Sequence, residues 1–182
     1  MKSNTGSTPG NNTFEISTTW SYQMKKIILT VIAVCSVGLA CAESGTYETV
    51  SAGIASITTN DFGDSKYSIT NTSYTSRVIN STVSFYKVGA ISVSQCLGII
   101  TVENSKTSGN GACSSSDSDG DKLRLNYVRG DSTLQSVTGT AEMIGLTGKY
   151  VNAKGSCTFD QRRLIKDGVI HLTTLLKCSV AN

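Results

Sequence analysis

Three residue types are close to absent from this 182-residue chain. It holds one Pro, one Trp and one His, and Pro9 and Trp20 both lie within the first 23 residues. With His171 alone, a multi-His metal site is excluded, and any Ser-His-Asp or Cys-His mechanism would have to pass through that residue. No Cys-x-x-Cys pair occurs, which removes the usual zinc pattern. With Trp20 in the leading segment, no Trp platform remains for stacking a sugar or a base. Sustained helical periodicity is missing as well, so no glycine-rich phosphate loop can open onto a helix. A strong charge imbalance is also lacking. The formal net charge is +3, and Lys2, Lys25 and Lys26 supply part of it from outside the main domain. The rest is near balance with Lys and Arg scattered, which argues against a nucleic-acid partner.

What is present begins with an address. Residues 24–42 read MKKIILTVIAVCSVGLACA. Lys25 and Lys26 form a positive start, and Ile27 to Leu39 an apolar segment too short to span a bilayer comfortably. Ala40-Cys41-Ala42 fits signal-peptidase cleavage before Glu43. The chain is therefore expected to be exported, to the periplasm or outside the cell, with no stable membrane span after processing. Gly38-Leu39-Ala40-Cys41 has Gly where a lipoprotein box usually has Leu, so a lipid anchor is the weaker reading. Residues 1–23 are polar and read as a disordered leader or a start assigned too early. The folded domain is expected over residues 43–182.

Four cysteines remain beyond the signal, Cys96, Cys113, Cys157 and Cys178. An even number in an exported domain implies disulfides, with three connectivities open. A hairpin chooses among them. Asp167-Gly168 is a two-residue turn signal of type I′. With Lys166 facing Val169, counting outward places Cys157 directly opposite Cys178, in a closer, non-hydrogen-bonded pair. The remaining pair is Cys96–Cys113, closing across a longer turn region at Ser105–Gly111.

Residues after Glu43 are rich in Val, Ile, Thr, Ser and Tyr, with Gly and Asn/Asp at short intervals. That pattern signals many strands. They are expected around Val50–Ile54, Lys66–Thr72, Ile79–Val88, Val93–Val102, Leu123–Tyr127, Val137–Ile144, Lys149–Phe159 and Val169–Val180. Regular spacing suggests a barrel or a sandwich, and closure would remove exposed edges. Alternation assigns faces. Cys157, Phe159, Ile165, Ile170, Leu172, Leu176 and Cys178 share the expected inner side with Gln161, Arg163 and Thr174. Val50, Ala52 and Ile54 read as the apolar face of their strand, and Glu48 falls on it. His171 falls on the outer side.

Gly145-Leu146-Thr147-Gly148-Lys149-Tyr150, with Gly155 following, resembles the Gly-Gly-Thr/Ser-Gly-x-Phe/Tyr motif of plant allene oxide cyclases and dirigent proteins. Leu146 departs from its second Gly. Small exported bacterial proteins of a related group look closer still, because they join that motif to an Asp-x-Asp-Gly-Asp turn, here Asp117 to Asp121. The resemblance spans about Val83 to Cys178. It implies an all-β fold, an eight-stranded antiparallel barrel, stapled here by the disulfides. It further implies a small apolar molecule in the barrel and further copies of the chain as partners. Gly145, Thr147, Gly148, Tyr150 and Gly155 take an architectural role in it. The cyclases' catalytic residues lie outside the matching motif, and none is carried over.

Chemistry is narrowed mostly by elimination. Asp117, Asp119 and Asp121 invite a calcium reading, but an EF-hand loop counted from Asp117 would have Lys122 and Val128 where Gly and Glu are required. An Asx-rich turn is the better reading, with a weak calcium site as its alternative. No cofactor is implied. The candidate ligand-binding residues are Glu48, Phe159, Gln161, Arg163, Leu172 and Thr174. Three functions follow. The first is an exported barrel that binds a small apolar ligand. The second is a cofactor-free cyclase or isomerase using Glu48 and Arg163. The third is a structural or host-contact protein working through its outer face.

Overall fold

The computed structural model describes residues 44–104 and 106–181. The expected signal segment, its leader, Cys41 and the expected cleavage site lie outside the described residues. Eight strands follow one another: β1 (Gly45–Phe62), β2 (Ser65–Ser81), β3 (Ile91–Glu103), β4 (Lys106–Asp117), β5 (Lys122–Ser132), β6 (Ser136–Gly145), β7 (Lys154–Lys166) and β8 (Val169–Ala181). Each pairs antiparallel with the next, and β8 returns to β1, so the sheet closes into a barrel. The expected eight-stranded antiparallel barrel is the fold observed. None of the described residues forms a helix long and apolar enough to cross a membrane.

The last hairpin has the expected register. Asp167 (φ 51°) and Gly168 (φ 76°) are both left-handed, as a type I′ turn requires. Lys166 then faces Val169, and Cys157 faces and is bonded to Cys178. Cys96 faces and is bonded to Cys113 across β3 and β4. The turn between those strands is shorter than the sequence suggested. Glu103 pairs with Lys106, and left-handed Asn104 (φ 49°) makes the reversal, so residues 106–111, expected in the turn region, are the first part of the strand Lys106–Asp117. Other boundaries move as well. Residues 66–72 and 79–81, expected in two strands, belong to one, β2, and residues 82–90 form a connection, not a strand; Lys149 and Tyr150 belong to a short 3-10 turn, Gly148–Tyr150, ahead of β7.

The two ends of the barrel differ. Four tight hairpins (β1–β2, β3–β4, β5–β6 and β7–β8) form one end. The longer connections 82–90 and 146–153 fold over the other and bring Val83, Tyr86, Tyr150 and Ala153 into a cluster with Tyr47, Met143 and Val180, all buried. Tyr86 meets Tyr47 edge-on at 4.7 Å and Tyr150 at 5.7 Å. This aromatic layer closes the barrel floor.

Candidate functional site: the barrel lumen

Above that floor the barrel is hollow. Its inner wall encloses a cavity of about 150 Å³. An eight-stranded barrel can be filled by side chains or hold one small ligand, so the space needs a cause. Three cross-strand pairs supply it. Tyr74 lies opposite Gly53, Tyr127 opposite Gly111, and Phe159 opposite Gly139. Each side chain lies against its glycine partner. A Cβ on Gly53 would come within 2.5 Å of the Tyr74 ring, one on Gly139 within 2.5 Å of the Phe159 ring, and one on Gly111 within 2.5 Å of the Tyr127 hydroxyl. The stem of Arg129 lies across Gly109 in the same way. Large inward side chains therefore cover the wall and leave the axis open.

The wall has two chemistries. On β1 to β4 it is rich in hydroxyls: Thr49, Ser51, Thr72, Ser76, Ser94 and Ser115 are buried and line the cavity, beside Ala55, Ile57, Ile100 and the Cys96–Cys113 disulfide. Four of them pair across strands, Ser51 with Ser76 at 2.7 Å and Ser94 with Ser115 at 3.0 Å, and Ser92 pairs with the Tyr86 hydroxyl at 3.2 Å. On β5 to β8 it is mostly apolar, from Leu123, Leu125, Val137, Phe159, Leu172 and Leu176, with Arg129, Gln161, Arg163 and Thr174 among them. Gln161 joins the halves, donating to the Tyr74 hydroxyl at 2.7 Å and to Thr174 at 3.4 Å. Burial is the main force pushing the Tyr74 phenol up to about 12, so it stays protonated at neutral pH.

Five of the six residues proposed from the sequence line this cavity: Phe159, Gln161, Arg163, Leu172 and Thr174. Glu48 does not. It faces outward and pairs with Lys177 at 3.5 Å. The reason is that β1 is inverted relative to its apolar pattern. Thr49 and Ser51 are buried inside, while Val50 and Ile54 are 38% and 55% exposed. β3 does the same, with Ser92, Ser94 and Cys96 inside and Val93, Leu97 and Ile99 outside. An inner wall of hydroxyls requires this reversal. The acid–base pair Glu48 and Arg163 is therefore not brought together. His171 is exposed on the outer face, opposite Leu164.

The sequence reading missed Arg129, although the alternation that places Leu123, Leu125 and Tyr127 inside reaches it two residues later. Arg129 and Arg163 are the only charged residues lining the cavity among the described residues.

The Asp117–Asp121 turn lies at the floor end and binds its own chain. Asp117 accepts backbone N–H bonds from Asp119 (2.9 Å) and Asp121 (3.1 Å) and a bond from the Tyr150 hydroxyl at 2.8 Å. Lys149 Nζ lies 2.7 Å from Asp117 and 2.6 Å from Asp119. The ammonium thus takes the place between carboxylates that a calcium ion would need. No group of three or more His, Cys, Asp or Glu side chains able to hold a metal is assembled among the described residues. The weak calcium reading is corrected to a turn closed by a lysine. Gly145, Thr147, Gly148 and Tyr150 complete the same structure. Thr147 Oγ1 accepts from the Lys122 N–H at 2.8 Å, and left-handed Gly148 (φ 54°) lies against the Asp121 carboxylate.

No protein-family model, curated protein or solved structure matches this chain.

Proposed function

We propose that this protein is an exported barrel, of allene oxide cyclase or dirigent type, that holds a small apolar ligand in its lumen. The hollow of about 150 Å³ with an apolar wall over β5 to β8 carries this reading. It has the form of a ligand site: concave, largely apolar, with few polar groups. Dry apolar cavities of about that volume accept a molecule the size of benzene. The two disulfides are consistent with export to an oxidising compartment, the periplasm or the cell exterior. Native mass spectrometry of protein purified from an exporting host tests the reading. A small apolar molecule bound one to one is expected, released by the double variant Leu125→Arg/Leu176→Arg. Recovery of an empty barrel that also takes up no apolar probe would count against it.

A second reading, association of copies of the chain, is favoured by the inverted face of β2 and β3. Ile69, Leu97 and Ile99 are each at least half exposed on neighbouring strands, with Ile69 paired to Ile99. A contiguous apolar patch of this kind marks an interaction surface. Light scattering on the parent and on Leu97→Lys decides it. An oligomer that Leu97→Lys dissociates is expected; a monomeric parent would overturn it.

A further inference from the structure

Arg129 and Arg163 project from β5 and β7 at the hairpin end of the lumen, which places them at its mouth. Their guanidinium groups converge, since both donate to the same oxygen, Ser132 Oγ, at 3.0 and 3.4 Å. Arg163 also donates to the Thr133 carbonyl. No described carboxylate lies within 4.0 Å of either group, although Asp61, Asp117, Asp119, Asp160 and Glu48 all have cationic partners elsewhere. Arg163 Nε is buried without a hydrogen-bond partner.

Two like charges held together in a partly dry site are costly, and natural proteins pair buried charge or coordinate it. Burial first, and for Arg129 the neighbouring Arg163 second, destabilise the charged forms of both. Nothing in the lumen wall offsets this, because every other polar side chain lining it is an uncharged hydroxyl or amide. An anion entering the mouth would. Guanidinium groups present planar donor forks that match the two oxygens of a carboxylate or phosphate. Below them the apolar wall of Phe159, Leu172 and Leu125 begins. Apolar side chains also stand near the hairpin tips: Phe62 and Ile165 are each 67% exposed and Leu134 is 90% exposed, beside the Lys66–Asp61 ion pair.

We infer that the lumen ligand is a small organic oxyanion, with its carboxylate or phosphate held between Arg129 and Arg163 and a compact apolar body in the cavity below. This rests on the ligand-binding reading above and names the chemical class of ligand. The enclosed volume limits the body to about one six-membered ring or a short alkyl chain.

The test uses the full chain purified from an exporting host, titrated calorimetrically with 3-phenylpropanoate, phenyl phosphate and the uncharged 3-phenylpropanol. At least one oxyanion should bind ten times more tightly than the alcohol or better. Arg129→Gln and Arg163→Gln should each remove most of that preference, read as the ratio of oxyanion to alcohol affinity. Arg163→Lys, which keeps the charge and loses the fork, should fall between. If Arg163→Gln loses the fold because the Thr133 contact is gone, Arg129→Gln and the acid-to-alcohol ratio decide. Equal affinity for acid and alcohol would overturn the oxyanion site and leave the apolar-ligand reading standing. Absence of binding by all three compounds would remove both.

Discussion

Gly145→Ala should lower folding stability by about 3 kcal/mol or more, read as a shift in the urea midpoint with unchanged slope. A Cβ at this position would fall on the Tyr150 carbonyl oxygen. That atom cannot swing aside as a side-chain tip can, because it belongs to a tightly bonded return. Gly145 N–H donates to the Ala153 carbonyl at 2.8 Å, and Ala153 N–H to Tyr150 at 2.9 Å. Leu146 and Thr147 N–H both donate to Lys122 at 2.9 and 3.1 Å. To admit a methyl group the segment must lift, and Tyr150, only 1% exposed, would be drawn out of the aromatic floor against Tyr86. Leu146→Ala in the same motif should change stability by less than about 0.5 kcal/mol, since Leu146 is 46% exposed. A Gly145→Ala protein as stable as its parent would mean that the motif is not the structural clasp described.

The strands with a conventional apolar inner face were legible from alternation alone. β7 and β8 announce themselves through Phe159, Leu172 and Leu176, and Asp167-Gly168 fixes their register, so that disulfide followed by counting. β1 misled for the opposite reason. Reading apolar as inward presumes a solid apolar core, and here half of the wall is made of hydroxyls that bond to one another. That error put Glu48 in the lumen. β4 was invisible because its inward positions Gly109, Gly111, Cys113 and Ser115 carry almost no apolar signal. They are small because Tyr127 and the Arg129 stem lie across two of them, a cause located on β5 and read only in three dimensions. The same holds for the cavity. Nothing in the local sequence of Gly53 or Gly139 says that an aromatic residue on the neighbouring strand will lie over it.

Asp117→Ala should destabilise the protein by about 3 kcal/mol at neutral pH, the lower part of the range for breaking a buried ion pair, since Lys149 retains some contact with water. The Asp117 side chain is 3% exposed and accepts four bonds: from Lys149, the Tyr150 hydroxyl and two backbone N–H groups. Its removal leaves the Tyr150 hydroxyl without its acceptor beside an aromatic floor that offers no replacement. The same carboxylate ties stability to acid. Burial pushes its pKa up, but the bonds from Lys149, Tyr150 and the turn N–H groups outweigh burial and hold it below the ordinary 3.8. A carboxyl group depressed in the folded state stabilises fully above its unfolded pKa and loses that contribution as pH falls through the folded value. Urea midpoints measured from neutral pH down to about pH 2 should therefore fall steeply below about pH 4 for the parent. Asp117→Asn, close in shape but without the charge, should start lower and show a shallower decline, so that the gap between the two narrows in acid. Parallel curves for parent and Asn variant would show that another carboxyl group governs the acid limb and that the Asp117–Lys149–Tyr150 clasp contributes by shape alone.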